Sequence, residues 1–344
     1  MSEARDTPSE VPAATTLGDV LVVRGQTAQP EAAFRQAVDG GAADRLTAEV
    51  NLAELLFNQG RIDEAMRRFD AFIDIYNQAD GRLRAEDLVA VARAVRYLGR
   101  NNPDLFQDAL RALDEAARAD PNWAEPALLA GELFLEKYQS PEAQAEFQKV
   151  LANNQRDTRA LLGMAKAADF DGTAGARERI DEILEINTSN VAARALLARL
   201  HLTREDAAGG LEEANRALEA NPASPEALSV LAAAHYLADD SEAFSRVRGR
   251  VLALNPHYAD LDCTVAELAV QVRRYRDAAD RAAAAVALDS ASWKAWGLLG
   301  MNQLRTGRIE EGRGNLERAF EGDPYNPWFK NSLDLLDTFD RFEV

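Results

Sequence analysis

Proline recurs in this chain at a fixed phase behind an acid or an amide, as Asp120-Pro121, Asn221-Pro222, Asn255-Pro256 and Asp323-Pro324. The intervals are multiples of a period of about 34 residues, and self-similarity at that period marks a stacked array of short supersecondary units. Proline disfavours helix for the residue before it, so each pair stops a helix at the same point of the unit.

Residues 293–324 form the clearest unit. Trp296, Leu299, Gly300 and Gln303 fall at i, i+3, i+4 and i+7, one face of a helix. Gly307 breaks the chain, and Ile309, Gly312, Leu316, Ala319 and Phe320 line one side of a second helix that ends at Asp323-Pro324. The same phase runs through residues 46–77 (Leu52, Ala53, Gly60, Ala65, Phe69, Phe72), 124–155 (Gly131, Phe134, Ala143, Phe147) and 156–188 (Leu162, Gly163, Ile183). It continues through 191–222, 225–256 and 259–290 (Val265, Ala266, Ala278, Ala282, Ala285). The unit at 85–121 carries the extra residues Arg100, Asn101, Asn102, Pro103 and Asp104 in its turn. Such an insertion is expected to project from the array edge, where closing a longer loop costs little.

Small residues at repeated positions let the two helices of each hairpin approach closely. A single hairpin cannot bury its apolar face, so neighbours stack and the ends need caps. Four regions follow: a disordered segment at 1–16, a degenerate hairpin at 17–44 whose second helix is marked by Pro30, Ala33 and Ala37, about eight hairpins over 45–324, and a capping helix and junction at 325–344 with apolar Leu333, Leu336 and Phe339.

The marks of residues 293–324, a large residue, a Leu-Gly pair, the turn glycine, the small residues and the closing proline, resemble those that define tetratricopeptide repeats. The resemblance covers roughly residues 17–342 and implies an all-α fold, a right-handed α-α superhelical solenoid of helical hairpins with a C-terminal capping helix. A narrower resemblance rests on Gly131-Glu132-Leu133-Phe134-Leu135-Glu136-Lys137-Tyr138 and on the stretch from Ala319 to Phe342. These are similar to segments of bacterial proteins that join such an array to a gluzincin metallohydrolase of the peptidase MA kind. That family holds zinc through His-Glu-x-x-His, and His201, His235 and His257 belong to no such motif here. Any hydrolase is therefore expected beyond Val344, and no catalytic residue carries over.

Composition closes other routes. One cysteine, Cys263, excludes an internal disulfide framework and a multi-thiolate metal site. A formal charge of −18 argues against nucleic acid and anionic membrane as partners. No apolar run is long enough for a membrane span, no signal-peptide pattern opens the chain, and compartment and oligomeric state stay open. Two arginine clusters, Arg246-Val247-Arg248-Gly249-Arg250 and Arg273-Arg274-Tyr275-Arg276, read as solvated or ion-paired faces. With no phosphate loop, nucleophile elbow or ligand cluster, no cofactor, metal or catalysis is expected.

In tetratricopeptide arrays, ligands lie on the concave face lined by the first helix of each hairpin. The matching positions hold Phe57, Arg93, Arg96, Tyr97, Glu132, Met164, Arg199, Tyr236, Glu267, Met301 and Arg305. Aromatic and thioether side chains set among charges suit a peptide or domain groove. The family's clamp for acidic tails is disfavoured, because its positions hold Thr47, Val50 and Glu54 in one unit and Asp260, Cys263 and Glu267 in another. The function expected is a protein-interaction scaffold that binds a peptide, a partner domain or its own C-terminal neighbour. The alternative is the recognition part of a larger zinc metallohydrolase.

Overall fold

The structure, a computed structural model, describes residues 11–26, 29–40, 44–79 and 81–340. Among the described residues there are nineteen α-helices and no strand, so the chain is all-α. Contacts divide it into two units. The first holds α1 (Val11–Val23), α2 (Gln29–Asp39), α3 (Arg45–Asn58), α4 (Ile62–Ala79), α5 (Ala85–Leu98) and α6 (Leu105–Ala119). The second runs from α7 (Glu125–Glu136) and α8 (Ser140–Asn153) through α9 (Thr158–Asp171), α10 (Ala176–Ile186), α11 (Val191–Thr203) and α12 (Ala207–Ala220). It continues with α13 (Pro225–Leu237), α14 (Ser241–Leu254), α15 (Asp260–Gln271), α16 (Tyr275–Leu288), α17 (Trp293–Arg305), α18 (Ile309–Gly322) and α19 (Pro327–Asp340).

The stop signals act through side chains as well as through proline. At the end of α12 and α14, Asn221 and Asn255 turn extended, and their Oδ1 atoms accept from the backbone N–H of Ala223 (3.0 Å) and His257 (2.8 Å). Asn154, Asn187 and Asp289 make the same turn without a following proline. Four of the five helices that follow start on a side-chain cap, as where Ser224 Oγ accepts from Ala227 N and Asp157 accepts from Ala160 N, and α15 starts without one.

Inside the second unit, Phe147 of α8 shows how small residues set helix spacing. A Cβ added at Gly131 would lie 2.6 Å from its ring, and one at Gly163 only 2.3 Å away, so α7 and α9 close on the two faces of one fully buried phenylalanine. In the first unit, Ala37 packs on Ala48, and Phe34, Phe69, Phe72 and Leu56 are fully buried.

Two expectations change. Residues 11–16, read as part of a disordered segment, belong to α1, while residues 1–10 lie outside the described residues. The insertion after α5 does not project. Segment Gly99–Leu105 is counted with the second unit, where Arg100 pairs with Asp289 at 2.7 Å and its carbonyl accepts from Trp293 Nε1 at 2.9 Å. Paired polar groups and a half-buried indole offset the cost of ordering the loop. The apolar marks of the last helix include Leu333 and Leu336, packed on Phe329, and Phe339 lies outside the described side chains.

Candidate functional site

First helices of the second unit touch across intervening hairpins. Arg199 on α11 places Nε 3.1 Å from Asp169 of α9 and Nη1 2.8 Å from Glu267 of α15, which is 68 residues further along the chain. Lys294 on α17 reaches the other oxygen of Glu267 at 2.8 Å. The contact from α11 to α15 passes over α13, so the first helices of these hairpins share one face of the second unit. Burial alone would raise the Glu267 carboxyl, yet Lys294 and Arg199 outweigh it and hold it at about 2. Burial acts against the charged Lys294 too, and Glu267 overcomes it, leaving the ammonium well above its usual range.

The α7–α8 turn reaches the same place. Its residue Tyr138 has φ 57°, a left-handed conformation that costs about 1–2 kcal/mol in a residue with a side chain. Gly60 (φ 78°) and Gly307 (φ 84°) occupy the equivalent turn in other hairpins, closed by the same type of backbone bond. The Tyr138 ring stacks on Trp328 (5.7 Å, 17°) and meets Phe170 edge-on at 5.1 Å. Burial pushes its phenol up, and Lys294, Glu267, Cys263 and Arg199 are the groups whose fields reach it. On either side, Lys137 pairs with buried Asp323 at 2.9 Å, and Gln139 Nε2 donates to the Tyr325 carbonyl at 2.8 Å. The two stretches that carry the narrower resemblance thus meet in space.

The expected groove residues fall into different settings. In the first unit, Phe57 packs edge-on against Tyr97 (4.8 Å), whose ring stacks on Phe69 at 4.5 Å, so both aromatics are half-buried within the hairpin stack. Arg93 pairs with Glu54 at 2.6 Å and donates to Asn51, which itself donates to Asp19, and Arg96 is half-buried beside them. In the second unit, Met164 is a core residue, 6% exposed, against Phe147, which corrects its reading as an exposed groove residue. Glu132 pairs with Arg159 at 3.0 Å. Tyr236 leans on Phe244 and under Arg281, and Met301 packs with Leu316 and Trp328. Arg305 is exposed over Tyr275. Asp169, Lys294 and Tyr138 were missed; Glu205, Asp239 and Arg273 stand at the same turn position as Tyr138 in other hairpins, so no local signal set the tyrosine apart.

Elsewhere the charges pair locally. His201 Nδ1 lies 2.7 Å from Asp206, and His235 lies 3.7 Å from Asp240. Arg246 pairs with Glu242, Arg274 with Asp239, and Arg248 and Arg281 both reach the fully buried Asp262. Among the described residues no group of three His, Cys, Asp or Glu side chains is placed to hold a metal ion, and no helix is long and apolar enough to cross a membrane.

The family model described as Tetratricopeptide repeat matches residues 15–80 and 265–327. The human IFIT1 dimer with m7Gppp-AAAA is similar at 14% identity, covering 92% of this chain and 78% of that one with a TM-score of 0.52. A tetratricopeptide repeat protein from Parabacteroides merdae is 14% identical over 85% of this chain and 98% of its own (TM-score 0.44). Yeast Tom70 is 12% identical over 98% and 83% (TM-score 0.47). No curated protein matches the sequence. Among the described residues the chain is therefore an all-α helical-repeat protein in which residues 15–80 and 265–327 match the tetratricopeptide repeat, a fold consistent with a protein-interaction scaffold.

Proposed function

We propose that the protein is an interaction scaffold whose first helices hold an extended peptide or a partner domain on the concave face, without chemistry of its own. The carrying observation is the Arg199–Glu267–Lys294 chain. It brings charged side chains of non-adjacent hairpins to one place, and a surface built from several hairpins is what a multi-point peptide contact uses. The partner proposed is protein and not nucleic acid, because a chain with net charge −18 supplies no field to attract phosphate.

The test uses a displayed random-peptide library selected on the full chain. Binders should lose at least tenfold in affinity to Arg305→Glu or Arg96→Glu, two expected groove positions of which the first is exposed and the second half-buried, with helicity checking that each variant remains folded. Peptides that bind both variants as tightly as the parent would place the binding surface elsewhere and overturn the reading.

A further inference from the structure

In a repeat array each hairpin contacts only its neighbours, so stability adds along the chain and the end hairpins open first. Within the second unit α8 packs on α9, α12 on α13 and α16 on α17, as that rule requires. A further set of contacts breaks the rule. Lys137 pairs with Asp323 at 2.9 Å, Gln139 Nε2 donates to the Tyr325 carbonyl at 2.8 Å, and the Tyr138 ring stacks on Trp328. These run from the α7–α8 turn, in the first hairpin of the unit, to the α18–α19 linker and the first turn of α19 at its far end. Segment Gly99–Leu105 grips the same end. Arg100 pairs with Asp289 at 2.7 Å, its carbonyl accepts from Trp293 Nε1 at 2.9 Å, and Asp104 accepts from the Tyr325 hydroxyl at 3.1 Å. Tyr325 is thus held from both sides, by its carbonyl and by its hydroxyl.

The gripping charges are drier than surface ion pairs. Lys137 and Asp323 keep 15% and 8% of their side-chain surface, and Arg100 and Asp289 keep 24% and 14%, so solvent screens both pairs less than it screens an exposed one. The same contacts account for the one irregular repeat. Arg100 to Asp104 are the residues by which the unit at 85–121 exceeds its neighbours, and the first and last of them hold the far end. We propose that the second unit is a closed cycle of hairpins. A strap at 99–105 and the α7–α8 turn form a clasp on the two linkers that flank the α17–α18 hairpin, so this hairpin opens with the middle of the unit instead of fraying from its end. The clasp goes beyond the scaffold reading and stands independently of what the first helices bind.

Amide hydrogen exchange read by mass spectrometry on the full chain tests the clasp. In the parent, α17 and α18 should be as strongly protected as α11 and α13. The double variant Arg100→Ala, Gln139→Ala loosens the clasp from its near side and changes no residue of α17, α18 or α19. Gln139 makes no side-chain cap bond to α8, so alanine leaves that helix start intact. In the double variant α17 and α18 should exchange at least tenfold faster relative to α11 and α13, with helicity unchanged. Arg100→Ala alone lies outside every helix and should raise the same ratio at least threefold, which keeps the test decisive if the double variant loses helicity. A parent in which α17 and α18 already exchange tenfold faster than α11 and α13 overturns the clasp. Folded variants that leave the ratio at its parent value overturn it too.

Discussion

Arg199 Nη1 lies 2.8 Å from Glu267 Oε2 across 68 residues of chain, and the same carboxylate accepts Lys294 from the opposite side. Two cations on one acid, each from a different hairpin, tie α11 and α17 to α15 within the second unit.

The first prediction concerns pH. Because the folded carboxyl of Glu267 is depressed from its ordinary 4.5 to about 2, the stability it brings is complete above the ordinary value and is lost as pH falls from about 4.5 towards 2. Trp123, Trp293, Trp296 and Trp328 all lie in the second unit, so tryptophan fluorescence follows its unfolding alone. Glu267→Gln should flatten the acid limb of stability against pH relative to the parent. At neutral pH, Arg199→Ala should cost about 2–3 kcal/mol, a value reduced for the side chain's partial exposure. Superimposable acid limbs would contradict the network.

A second prediction tests packing against propensity. Alanine in place of a mid-helix glycine normally gains about 1 kcal/mol. At Gly163 the added methyl meets the buried Phe147 ring, so Gly163→Ala should instead lose about 1–3 kcal/mol in urea unfolding. A gain in stability would show that the ring can move aside.

How far the fold was legible follows from these particulars. The helical phase could be read because Gly131, Gly163, Gly300 and the Asn-Pro stops answer to contacts inside one hairpin or between neighbours. The concave face was legible only as a set of positions. Periodicity says that Phe57 and Tyr97 share a side with Arg93, but whether they face solvent depends on how tightly hairpins curve, and in the structure they stack on each other and on Phe69. The docking of residues 99–105 and of Tyr138 depends on contacts far apart in sequence, which no local pattern encodes.

The hairpin turns give a third prediction. Glu205, Asp239 and Arg273 share the left-handed geometry of Tyr138, with φ of 58–62°. Glu205 is exposed, so Glu205→Gly should stabilise the second unit by about 0.5–1 kcal/mol by relieving that strain, read as a shift of the urea midpoint. The reverse change at Gly307, φ 84°, should destabilise by at least as much. Equal midpoints for the parent and both variants would mean that these turns carry no strain.

The most direct test of the concave-face account is where a bound peptide lies. A library-selected peptide carrying a photo-cross-linking group should, after irradiation and mass spectrometry, mark first-helix residues such as Glu132, Glu267, Met301 and Arg305. Adducts confined to the second helices α12, α14, α16 and α18 would contradict the account.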